Sequence, residues 1–168
     1  VSTIRIFFKY LSQKANLLDI NPAQNLETPK LDKRLPKYLN LDQSKHLLEV
    51  TGNEEQRNSS RNYAIITLFL NCGLRLSELV NIDIKDIDFS ECKLNVIGKG
   101  NKERTIYLNK SCIKALKNYL DERPKEGVKV DKFNSHKALF LSERRERISR
   151  RTVQYIVNKE LQKARIRY

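Results

Sequence analysis

The chain has 168 residues, 39% of them hydrophobic and 32% charged, and a formal net charge of +13. That length supports one well-cored domain plus a small appendage. The basic excess excludes an ordinary enzyme of small neutral metabolites and favours a polyanion, with nucleic acid ahead of an anionic membrane surface.

No apolar run approaches the ~18 residues needed to span a bilayer, so no membrane partner is expected. The start, Val1-Ser2-Thr3-Ile4-Arg5, has no signal-peptide pattern and no Met, and reads as the interior of a longer protein. Cys72, Cys92 and Cys112 form no C-x-x-C pair and read as reduced thiols of a cytoplasmic protein. His46 and His136 lack ligand spacing, so neither a metal nor another cofactor is expected.

In chain order, Thr3 to about Ala15 predicts a helix with Ile4, Phe7, Phe8 and Leu11 as one stripe. Pro22, Pro29 and Pro36, with several Lys and Arg, make residues 21–38 a basic linker. Residues 1–20 then read either as the last helix of an upstream domain or as a helix lying on the main one. From residue 39 the main domain begins. Asp42 is the expected N-cap of a helix to about Val50, with Leu47 and Leu48 inward. Thr51 to Ser60 reads as a loop.

Arg61 to Cys72 is apolar almost all round and predicts a buried central helix, ended by Gly73 in the left-handed conformation. A short helix follows over Leu76 to Asn81. Asp83, Asp86 and Asp88 lack the pattern of a calcium loop and read as a solvated turn. Leu94–Ile97 and Thr105–Leu108, split by Gly98 to Arg104, predict a β-hairpin. Asn109 caps a helix to about Glu122, Pro124–Lys137 is a polar loop, and Ala138–Leu141 is a third strand. Ser149 caps a last helix with the stripe Val153, Ile156, Val157, Leu161 and Ala164. The fold class is mainly α with a small antiparallel β-sheet.

Two stretches carry chemistry. Gly73-Leu74-Arg75-Leu76-Ser77-Glu78 sets an arginine just after a helix break. Gly98-Lys99-Gly100-Asn101-Lys102-Glu103-Arg104 sets basic residues on a tight turn, and is no P-loop, whose glycines are four residues apart and lead into a helix. Arg150 and Arg151, near Arg144, Arg145 and Arg147, occupy a helix start where the dipole disfavours cations unless a phosphate sits there. Taken singly, Arg75 reads as a helix-end partner of Glu78, Lys99 as a solvated turn lysine, and the arginines as a solvated patch.

Together, in this order and 24 residues apart, Arg75 and Lys99 with their flanking motifs closely resemble the tyrosine recombinases, in particular the Xer-type recombinases and related phage and transposon integrases. The likeness runs from about Leu26 to the end of the chain. It implies a recombinase catalytic-domain fold and site-specific strand cleavage and rejoining through a 3′-phosphotyrosyl intermediate. It also implies that Arg75 and Lys99 are catalytic, with Glu78 supporting them, and that duplex DNA and further protomers, a tetramer in the parent, are the partners. Lys37, Lys102, Arg104, Arg150 and Arg151 are the expected DNA contacts. It further implies that residues 1–20 end an upstream DNA-clamp domain and that 39–168 are the N-terminal part of a truncated catalytic domain. The family's His-x-x-Arg segment and later Tyr have no counterpart here, and Tyr168 stands too early to be the nucleophile. The expected fragment therefore binds DNA without cutting it. A non-catalytic DNA-binding protein (repressor, adaptor or degenerate recombinase) is the alternative. Tyr107 and Tyr155 read as packing residues.

Overall fold

A computed structural model describes residues 1–27, 38–53, 58–98 and 100–166. Lys37, Lys99, Tyr168 and most of the expected linker lie outside the described residues. The chain divides into two compact units, Val1–Lys37 and Tyr38–Tyr168.

The first unit holds helix α1, Ser2–Gln13. Phe7 and Phe8 meet edge to face at 5.4 Å, yet no residue of α1 is buried. Asn21 Oδ1 accepts from the amide of Ala23, which is buried, and the Arg5 guanidinium donates to the Leu26 carbonyl.

The second unit is helical with one small sheet. Its helices are α2 (Leu41–Gly52), α3 (Ser59–Cys72), α4 (Leu76–Asn81), α5 (Lys110–Glu122) and α6 (Arg150–Lys163). The sheet comprises β1 (Ile87–Asp88), β2 (Lys93–Ile97) and β3 (Glu103–Tyr107), antiparallel in that order. A main core gathers α3, α4, α5 and the inner sheet face around Leu68, Leu79, Leu94 and Leu116. A smaller cluster joins α2, α3 and α6 through Leu47, Ile66 and Leu161. Gly73 ends α3 at φ 56°, as its position predicted. A substituent Cβ there costs about 1 kcal/mol or more.

Several expectations are corrected. Asn40, not Asp42, caps α2: its side chain accepts from the Gln43 amide at 2.8 Å while Gln43 Oε1 accepts from the Asn40 amide at 3.0 Å. Asn-x-x-Gln is a capping box, a pairing that looking for a single acidic cap overlooks. The helix then runs on to Gly52, and α3 starts at Ser59, two residues early.

The third strand is Ile87–Asp88, with Ile87 facing Leu94. Ala138–Leu141 makes only isolated bridges, Asp83 to Ala138 and Leu141 to Arg147. Its buried backbone groups are satisfied one at a time. The Leu139 amide donates to the Ile82 carbonyl, and the Leu141 amide to the Tyr119 hydroxyl. Arg123 donates to the carbonyls of Ala138 and Leu139, and Arg61 to that of Leu141. Long side chains thus do what a neighbouring strand would do.

Tyr107 and Tyr155 are exposed rather than packed. The Tyr107 ring instead lies 5.8 Å from Lys93 Nζ. The acidic turn is not simply solvated: Asp86 accepts from the Asp83 amide at 2.8 Å, and Asp83 pairs with Arg147. The described residues hold no helix long and apolar enough to cross a membrane, and no group of three or more His, Cys, Asp or Glu able to hold a metal.

Candidate active site

The centre of the site is a carboxylate. Glu78 lies one turn into α4 with its side chain 1% exposed. Burying a charge is unfavourable unless donors compensate it, and three do. The Arg75 amide reaches Oε2 at 2.8 Å. Arg75 Nη1 reaches Oε1 at 2.9 Å, and Arg104 Nη2 reaches Oε2 at 2.9 Å. Burial pushes the Glu78 carboxyl up, but the Arg75 amide and the two guanidiniums outweigh it and hold it below the usual carboxylate range.

A depressed native pKa contributes stability that is present above the ordinary carboxylate value, ~4.3, and lost as pH falls through the native one. The stability difference between the native chain and Glu78→Gln is therefore largest above about pH 5. Urea midpoints of the two proteins should converge toward pH 3.

Arg75 sits at the N-cap of α4, immediately after the α3 break, and its side chain stays 64% exposed. Anchored at one nitrogen, the guanidinium keeps donors free for an anion. The hairpin closes against this pair. A Cβ added to Gly98 would lie 3.3 Å from Glu78 Oε1 and 3.5 Å from Arg75 Nη1. A side chain there would crowd the buried carboxylate and push it by a few tenths of an ångström. The chain therefore enters Lys99 from beside Arg75, although Lys99 itself lies outside the described residues. Lys102 is exposed on the turn, whose ends are joined by the Gly98 amide donating to the Lys102 carbonyl at 2.8 Å. A groove of about 1060 Å³ opens here, lined by Arg75, Ser77, Glu78, Gly98 and Asn101 among others, and reaches Arg147.

The arginine cluster near α6 divides. Arg150 and Arg151 are exposed at the start of α6, where Ser149 caps through the Thr152 amide at 3.1 Å. Arg145 donates to the Glu126 carbonyl at 2.8 Å. Arg147 is a tie, not part of a free patch: it pairs with Asp83 and donates to the carbonyls of Phe133 at 2.7 Å and Val80 at 3.1 Å. No local pattern marks Arg147, because its charged partner Asp83 and the Val80 carbonyl lie over 60 residues away. Arg104 had a readable signal. It pairs with Val96 across β2 and β3, so both side chains share one sheet face, and Val96 is buried.

A helical domain with a three-stranded antiparallel sheet, carrying an arginine after the helix break and a basic hairpin beside it, defines the catalytic-domain class of the tyrosine recombinases. The Phage integrase family matches residues 37–168, and the chain belongs to that family. It is 58% identical over 167 residues to tyrosine recombinase XerC of Caldanaerobacter subterraneus, covering 99% of this chain and 44% of that protein. XerC of Alcanivorax borkumensis is 39% identical, with 92% of this chain and 48% of that protein covered. The chain thus spans about half the length of these relatives. Among solved structures, XerA recombinase superposes with a TM-score of 0.68 at 30% identity, over 98% of this chain and 62% of that one. The Tn1549 transposon integrase in complex with a circular intermediate DNA superposes with a TM-score of 0.76 at 17% identity, over 98% and 56%, and shows the same fold.

Proposed function

We propose that residues 39–168 are the N-terminal part of the catalytic domain of a site-specific tyrosine recombinase that cleaves and rejoins duplex DNA. The observation that carries this reading is Arg75, held by the buried Glu78 beside the glycine that leads into Lys99. In the reaction a tyrosine oxygen attacks the scissile phosphorus and the 5′-oxygen departs. The non-bridging oxygens gain charge in the transition state. Arg75, planar, permanently charged and already oriented, binds them there. Lys99 gives its proton to the departing 5′-oxygen. Side-chain cations thereby supply the positive charge at phosphorus. The nucleophilic tyrosine and the remaining phosphate ligands come from the part of the relatives' length that this chain does not span.

Residues 1–20 serve as the last helix of a DNA-clamping domain and 21–38 as its linker. Lys37, Lys102, Arg150 and Arg151 contact phosphates. The working assembly is a tetramer of protomers on DNA, in the cytoplasm where such DNA resides. The solved XerH recombinase bound to its palindromic difH substrate, 25% identical with a TM-score of 0.67 over 82% of this chain and 38% of that one, supports duplex DNA as the partner class.

The four contacts outside the cleavage site alone give a slope of about −3 to −4 in log affinity against log salt, hence at least about a 100-fold loss between 50 and 200 mM. A fluorescence-anisotropy titration of the 168-residue chain with duplex DNA is expected to show it. A salt-independent affinity contradicts the electrostatic basis of the reading. A nicked suicide substrate, offered to the full-length protein, is expected to trap a covalent protein–DNA adduct. Tight binding without an adduct turns the reading into that of a non-catalytic DNA-binding protein.

A further inference from the structure

We propose that Arg104 is a positioning residue of the strand-cleavage site, which binds the hairpin to Arg75 through their shared carboxylate and leaves the cluster with a net positive charge toward the phosphate. This rests on the recombinase reading above. Strand pairing sends the Arg104 side chain to the core side of the sheet, with Val96 opposite. There it ends on Glu78 Oε2 at 2.9 Å, the oxygen that also takes the Arg75 amide. A residue serving only as a phosphate contact has no need of a buried carboxylate, whereas the carboxylate has need of it.

The charge count shows why. Glu78 paired with Arg75 alone is a neutral couple, and its field on an incoming phosphate is that of a weak dipole. With Arg104 on the second oxygen the trio carries one net positive charge. Since Arg104 neutralises Glu78 from the hairpin side, the Arg75 charge remains available to the substrate. The same contact fixes the hairpin. Arg104 on β3 donates to Glu78 and Gly98 follows β2 close beside the same carboxylate, so the two strands of the hairpin are held at one point. Arginine suits this role: its planar fork places one nitrogen on the carboxylate while the side chain remains 44% exposed. The Gly73 carbonyl, 3.5 Å from the same nitrogen, lies at the α3 break that sets Arg75.

The test separates positioning from binding. In the full-length recombinase, Arg104→Gln is expected to lower the single-turnover cleavage rate at saturating DNA on the order of 10- to 100-fold. DNA affinity at low salt falls far less than the rate does, and Arg104→Lys, which restores the charge, recovers a large part of the rate. A salt slope reduced by about one with an unchanged saturated rate makes Arg104 an ordinary phosphate contact and overturns the proposal. A second readout needs no activity. In the 168-residue chain, carboxyl carbon NMR is expected to show the Glu78 midpoint rising toward the ordinary carboxylate value in Arg104→Gln. An unmoved midpoint overturns the link even where the variant folds poorly at other sites. Arg75→Ala measured alongside separates the two claims: an intact rate there defeats the recombinase reading, while the Glu78 titration still decides the link to Arg104.

Discussion

Arg75→Ala in the full-length protein is expected to lower the rate of DNA cleavage by at least about 10²- to 10³-fold, the usual loss when one preorganised donor to a transition-state oxygen is removed. Binding should fall far less, because one phosphate contact among several is lost. The asymmetry follows from geometry. Glu78 accepts both the amide and a guanidinium nitrogen of Arg75, so the side chain's orientation is fixed before substrate arrives. Its freedom is already restricted in the ground state, and the benefit appears where charge develops. A suicide-substrate time course at saturating DNA measures the rate, and a titration on intact duplex measures affinity. Equal losses in both would make Arg75 an ordinary phosphate contact. Arg75→Lys is expected to recover only part of the rate, because an ammonium has no fork with which to hold Glu78 and two phosphate oxygens together.

Arg147→Ala is expected to be among the most destabilising single changes, at about 3 kcal/mol. The Arg147 and Asp83 side chains are 14% and 19% exposed, so the carboxylate left behind is poorly hydrated. The carbonyls of Val80, Ile82 and Phe133 lose a donor at the same time. Val80 lies near the C-terminal end of α4, the helix whose start carries Arg75. The change therefore also loosens the element that presents the site. Arg144→Ala, on an exposed neighbour, should stay within about 0.5 kcal/mol of the native chain. Urea midpoints of the two variants make the comparison. Similar midpoints would mean that the Arg147 network contributes little.

The sequence was most readable where local rules act alone. Gly73 after an apolar helix specifies the left-handed break, and Asn109 and Ser149 each cap the helix that follows. The apolar runs around the basic turn specify the hairpin, whose register places Ile97 opposite Glu103. Arg75 and Glu78, three residues apart on one short helix, were legible as a pair for the same reason.

What failed was long-range. Ala138–Leu141 has the composition of a strand, but its neighbours are the side chains of Arg61, Tyr119 and Arg123, so its hydrogen bonds form no ladder. Arg147 looked like one more surface cation because Asp83, its partner, is 64 residues away. Glu78 gave no sign in sequence of its depth, since burial depends on how the sheet closes over α4. Arg104 could have been placed on the core-side face of the hairpin by its pairing with Val96, once Val96 was recognised as a core residue.

The two proposed roles, Arg75 stabilising charge at the phosphorus and Lys99 protonating the leaving oxygen, are separated by one substrate. Replacing the bridging 5′-oxygen at the cleavage site with sulfur creates a leaving group that departs as a thiolate without needing a proton. With the full-length protein, the cleavage rate on this substrate is expected to be restored in Lys99→Ala to near the native rate, and to remain low in Arg75→Ala. A Lys99→Ala protein as slow on the sulfur substrate as on the oxygen one, or rescue of both variants alike, would contradict the account.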